Sequence, residues 1–116
     1  MLDLKQRTFE FSLRVMRLAE SLPNTRSGRT IANQLIRCGT SVGANYRAAR
    51  RAKSTKDFIS KMGTVEEECD ETMFWTELAV ASDCTAGESV KGLLKEADEL
   101  LAIVVASIRT AKRRGK

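Results

Sequence analysis

The chain has 116 residues, 42% of them apolar and 30% charged, and carries a formal net charge of +5. That length sets one domain able to bury about two thirds of its unfolded surface, and the composition excludes a disordered or membrane-embedded class. Histidine is absent, which removes the commonest general base near neutral pH and the usual partner ligand of a zinc or copper site.

Residues 3–21 read as a first helix, with Phe9, Leu13 and Met16 on one apolar line and Phe11, Val15 and Leu18 on another. Its start has no uninterrupted apolar stretch of the signal-peptide kind, so a cytoplasmic location is the expectation. Pro23 ends the run. A second helix is predicted over 27–53, with Ile31, Leu35, Cys38, Val42 and Ala49 at helical spacing. Ser54-Thr-Lys-Asp57 has the form of a capping box with Asp in place of Glu and opens a third helix over 55–83. One face of it carries Phe58, Met62, Val65, Cys69 and Met73, and Glu68, Glu71, Trp75 and Leu78 form the opposite line. Thr85-Ala-Gly-Glu88 reads as a second capping box, opening a fourth helix over 87–113 with Val90, Leu93, Ala97, Leu100, Val104 and Ile108 in register.

No segment alternates as a strand would. The fold class is all-α, a single domain over 1–116 forming an antiparallel, up-down-up-down four-helix bundle. Residues 100–108 (LLAIVVASI) are apolar nearly all round. They reach about half of a membrane span, so no membrane partner is expected. A helix apolar on every side is buried on every side; this is either a central helix in a tight bundle or, the reading favoured, a surface of which part, with Trp75 and Leu78, is a subunit interface of a homo-oligomer. Cys38, Cys69 and Cys84 are odd in number and form no CxxC pair. They read as reduced packing residues.

The second helix contains an unusual stretch, RCGTSVGANYRAARRAKS, at 37–54. Gly39 and Gly43, spaced i, i+4, each cost about 1 kcal/mol relative to alanine, so a close backbone approach by another helix is expected. Asn45 falls on the border of the core stripe and needs hydrogen-bond partners; Thr72 and Glu68 are the candidates, with Asn45 fixing helix register. Tyr46 points to the core side. Arg47, Arg50 and Arg51 form an outward patch, followed by Lys53.

Charge is segregated along the chain. Residues 1–53 hold 11 cations and 3 anions, residues 54–83 hold 2 and 8, and residues 84–116 hold 7 and 4. Some arginines must therefore answer the acidic block EEECDE at 66–71. The C-terminal tail adds Arg109, Lys112, Arg113, Arg114 and Lys116. Patch and tail together have the footprint of a phosphate-binding surface; the other reading is a solvated face, each exposed pair contributing ~0–1 kcal/mol. With no stacking aromatic in the patch besides Tyr46, sequence-specific single-strand reading is disfavoured.

IANQLIRCGTSVGANYRAARRAKSTKDFISKMG followed by EECDETMFWTELA resembles the 23S rRNA intervening-sequence proteins, also called four helix bundle proteins. The most specific elements are SVGANYRAARRA, the S-x-x-DF start of the third helix and E-x-D-E-T-x-x-W at 68–75. The resemblance implies a small non-enzymatic antiparallel bundle without cofactor, metal or small-molecule substrate. It also implies assembly into a basic pentameric barrel, as in some members and in the related accessory proteins of diversity-generating retroelements, and a nucleic-acid partner, RNA or DNA. Glu68 and Glu71, near Trp75, match the family pattern and are expected to pair with arginines between helices or subunits. Relatives commonly have an acidic residue just after Asn-Tyr-Arg, where this chain has Ala48; that departure implies a freer Arg47 or Arg51. The second functional expectation is a protein-interaction scaffold whose arginines meet acidic protein surfaces. An enzyme built on Glu68, Glu71 and Asn45 ranks third.

Overall fold

The computed structural model describes residues 3–115. Four helices follow one another: α1 Leu4–Ser21, α2 Arg26–Arg50, α3 Thr55–Ala81 and α4 Gly87–Arg114. Among the described residues there is no strand.

The first three helix starts are set by side-chain caps that satisfy otherwise unpaired backbone N–H groups. Asp3 accepts from the Gln6 N–H at 2.8 Å, Thr25 from the Gly28 N–H at 3.0 Å, and Ser54 from the Asp57 N–H at 3.0 Å. Asp57 completes the third cap by accepting from the Lys53 N–H at 3.1 Å, one residue earlier than in a standard capping box. The fourth start differs from expectation. Ala86 is the N-cap of α4 and offers no side-chain bond, so Thr85-Ala-Gly-Glu88 is not a capping box. Thr85 is instead held in the turn that closes α3, its N–H donating to Ala79 O at 3.3 Å. That turn needs a left-handed residue, and Asp83 supplies it at φ 61°.

The second helix ends at Arg50 rather than near Lys53. The Arg51 and Ala52 N–H groups turn back to Ala48 O and Ala49 O, a tightening of the last turn that leaves Arg51 as C-cap and Lys53 in the connection.

Short connections at 22–25, 51–54 and 82–86 force each long helix to fold back against the one before it. The pairs α1–α2, α2–α3 and α3–α4 pack extensively, while α1 and α4 touch much less. Arg7 spans that narrow seam, forking to Glu96 at 2.7 Å and reaching Glu99 at 3.2 Å. Both carboxylates raise the Arg7 pKa.

The core lies along the bundle axis around Phe11, Val15, Leu35, Val42, Met62, Val65, Leu100 and Val104, all essentially solvent-free. On α3 the buried stripe runs Met62, Val65, Cys69, Thr72, Thr76 and Ala79, with Phe58 and Met73 only half-buried. The threonines are tolerated because their hydroxyls donate back to the helix, Thr72 to Glu68 O at 2.8 Å and Thr76 to Thr72 O at 2.7 Å. Among the described residues no buried side-chain polar atom lacks a partner. Nor is any described helix long and apolar enough to cross a membrane.

Candidate nucleic-acid interface

Gly39 and Gly43 sit in a close α1–α2 contact. A Cβ on Gly39 would sit 2.4 Å from Val15 Cγ1, and one on Gly43 2.8 Å from Ser12 Oγ. The absent side chains let Ser12 enter the seam. Its hydroxyl donates to Gly39 O at 2.7 Å and accepts from the Gly43 N–H at 3.1 Å. The small-residue strip thus joins two helices of one chain.

Asn45 does not reach α3. Its Nδ2 donates to Ser41 O at 3.0 Å and Ser41 Oγ at 2.7 Å, within α2 itself. The expected partners are engaged elsewhere: Thr72 bonds its own helix and lies 3.2 Å from the buried Cys38 Sγ. An i, i+4 contact satisfies an amide as well as an inter-helix one, and half-buried Asn45 faces no helix that needs it. Its register role is therefore corrected to a local bond.

Two carboxylates of the acidic block, Glu68 and Glu71, are answered by Arg37, a residue the sequence pattern does not single out. Its guanidinium pairs with Glu68 at 3.4 Å and with Glu71, linking α2 to α3. Trp75 Nε1 also donates to Glu71 Oε2, at 3.1 Å, and the indole stands edge-on to Phe74 at 5.0 Å. Trp75 is half-buried against the core, so the Glu68–Glu71–Trp75–Leu78 line flanks the core stripe and does not oppose it. Glu68, Glu71 and Asn45 do not converge: Asn45 lies two turns along α2 from Arg37.

On α4, Leu100, Val104 and Ile108 are buried, whereas Leu101, Ile103 and Val105 are half-buried beside them. The exposed large apolar side chains lie elsewhere: Phe9 (63% exposed) and Met16 on α1, and Phe74 (54%) and Leu78 on α3. Phe9 and Met16 follow from the α1 periodicity, which fixes two apolar lines where one core needs one.

The basic residues gather at one end. Antiparallel packing brings the C-termini of α2 and α4 together with the N-termini of α1 and α3. Arg47, Arg50, Arg51, Lys53, Arg109, Lys112, Arg113 and Arg114 are all exposed, and none enters an ion pair among the described residues; the pairs found use Arg7, Arg37 and Lys61. Lys116 lies outside the described residues. Six of the eight occupy the last turns of α2 and α4 or the α2 C-cap, where cations offset the negative ends of two helix dipoles. That accounts for part of the clustering, and the cations exceed what two termini require.

Two open grooves lie within this end. The larger, about 810 Å³, is bordered by Arg50 and Arg114, with Ser54, Thr55 and Thr110 among its polar neighbours and Phe58, Ile103 and Ala106 among its apolar ones. The smaller, about 440 Å³, places Arg47 with Lys5, Gln6 and Phe9 but also with the acidic Asp3 and Glu10, so it is mixed in charge. Patch and tail thus meet across the first groove, while Arg47 belongs to the second. Tyr46 is buried, and Phe58 and Phe9 are the aromatics adjoining the cations. Their sequence distance from the patch hid them.

Helical order, caps and a basic end define a small four-helix bundle protein with a polyanion-compatible surface. The chain belongs to the family of 23S rRNA-intervening sequence proteins, whose sequence model matches residues 1–106. It is similar to a crystallised protein of unknown function from the S23 ribosomal protein family of Bacteroides thetaiotaomicron VPI-5482. The two are 30% identical over 91% of this chain and 98% of that one, with a TM-score of 0.85. No curated protein matches the chain. Arg109, Lys112, Arg113 and Arg114 fall beyond the matched span.

Proposed function

We propose that the protein is a non-enzymatic, homo-oligomeric bundle that binds nucleic acid, RNA or DNA, through its basic end. The observation that carries this reading is the gathering of eight exposed cations from two distant segments without an ion-paired carboxylate among the described residues. Within the acidic block, the obvious internal competitor, Glu68 and Glu71 are taken by Arg37 and not by the basic end, and Ala48 provides no carboxylate beside Arg47 and Arg51. Such a surface binds phosphates by releasing condensed counterions, so affinity falls steeply with salt.

Self-association is supported by the two exposed apolar patches, Phe9 with Met16 and Phe74 with Leu78. They differ in composition and lie on different helices, so a contact between them is head-to-tail and closes into a ring when the rotation permits. A ring of five is the size we propose, and repetition of the basic end around it adds avidity. Gel-shift titration against ribosomal-type RNA and duplex DNA at low salt tests the binding, and light-scattering mass tests the ring. Absence of binding to either polyanion, with partners retained after nuclease treatment, would favour the scaffold reading.

A further inference from the structure

We infer that the groove between Arg50 and Arg114 takes an unpaired nucleotide, so that the nucleic acid engaged at the basic end is single-stranded where it meets this groove. The inference rests on the nucleic-acid reading above and deepens it. Phosphates require only cations and N–H groups, and the exposed arginines on the outer surface of α2 and α4 would suffice for them. The groove offers more than that. Half-buried Phe58 and Ile103 and exposed Ala106 line its apolar part, and Arg50 and Arg114 border it without an ion-paired carboxylate among the described residues.

The space, about 810 Å³, is more than a single nucleotide needs. Its composition matches the two halves of that ligand: an apolar, π-faced base over Phe58 and Ile103, and a phosphate at the arginines. Base–aromatic contact of this kind tolerates any base. A duplex presents its phosphates outward and keeps its base faces stacked, so it can use the rim and not the floor. The Thr110 hydroxyl, also on the groove, supplies a donor or acceptor for a sugar or base edge.

The test uses the full chain and fluorescence anisotropy with three probes: an intact single strand of mixed sequence, an abasic strand of the same length and charge, and a duplex. RNA and DNA versions of the intact strand distinguish a ribose from a deoxyribose requirement. The expected result is about tenfold tighter binding of the intact strand than of the abasic strand. Ala106→Leu, which narrows the groove at an exposed position without changing charge, should reduce that preference at least threefold. Circular dichroism and light scattering verify that the variant retains its fold and mass. Equal binding of intact and abasic strands, or a preference insensitive to Ala106→Leu, would overturn the inference while leaving the electrostatic reading standing. Displacement of the intact strand by polyglutamate at matched charge would also overturn it, pointing to an acidic protein segment. Failure of all three probes to bind at low salt would instead reject the nucleic-acid reading itself.

Discussion

At the level of single residues, two glycines with the same helical cost have opposite surroundings. Gly39 faces Val15 so closely that an added Cβ would overlap it, at 2.4 Å from Cγ1 and 2.7 Å from Cβ. Gly63 has nothing within 4 Å of the same position. Gly63→Ala should therefore raise stability by about 0.5–1 kcal/mol through backbone entropy, whereas Gly39→Ala should lower it by roughly 1–3 kcal/mol because overpacking exceeds the propensity gain. Urea denaturation of the two variants checks both signs. Legibility follows the same division. The spacing of Gly39 and Gly43 discloses a close approach, but not that Ser12 of the same chain fills it. Asn45 was misplaced because a helical wheel records direction and not the nearer i−4 acceptor that Ser41 provides.

Cys69 is buried, and burial, reinforced by the charge of Asp70, pushes its thiol from 9.0 up to about 12. Folding thus favours the protonated thiol. Its contribution is fully present below pH ~9 and is lost between about pH 9 and 12, as the unfolded chain releases a proton that the folded one retains. Cys38, also raised by burial, acts with the same sign. Denaturation series from pH 8 to 10.5 should show stability falling above pH 9, and Cys69→Ala should flatten that decline. At the acid end, Asp57 is held below its ordinary 3.8 by Lys61 and the Lys53 N–H. Its capping contribution is present above that value and disappears as pH falls below it.

Among the elements, four helices and their order follow from periodicity, Pro23 and the Ser54–Asp57 signal. At the start of α4 the boundary agrees with expectation and the cap does not, because a cap depends on the turn before it. Thr85 matches a capping pattern but is committed to closing α3 around Asp83, so α4 begins on Ala86 without a side-chain bond. Ala86→Ser should then stabilise the bundle by about 1 kcal/mol, by giving the first turn of α4 the acceptor that the other helices have; thermal unfolding monitored by circular dichroism measures it. The α3 core was only half legible for a related reason. Thr72 and Thr76 enter the interior by bonding their own helix, and an apolar count passes over them.

For the whole molecule, the segregation of charge along the sequence becomes segregation in space. Antiparallel order places the ends of α2 and α4 together, so residues 47–53 and 109–114 meet although they are distant in sequence. That convergence was legible from helix count and charge. The identity of the arginine that answers the acidic block was not, because Arg37 stands alone in the sequence and only the α2–α3 packing brings it to Glu68 and Glu71. The exposure of Leu78, Phe74, Phe9 and Met16 is only partly legible in the sequence, because helical periodicity marks apolar lines without saying which of them the core covers.

The most direct measurement is a salt titration of oligonucleotide binding for the native chain and for the Arg50→Ala, Arg51→Ala double variant. For the native chain, log affinity should fall linearly with log salt, with a slope of about −0.7 per phosphate neutralised on a single strand and −0.9 on a duplex. The double variant should bind more weakly across all sequences, with a shallower slope, and retain native mass and helicity. An unchanged slope and affinity in the double variant would contradict the assignment of the polyanion to this end of the bundle.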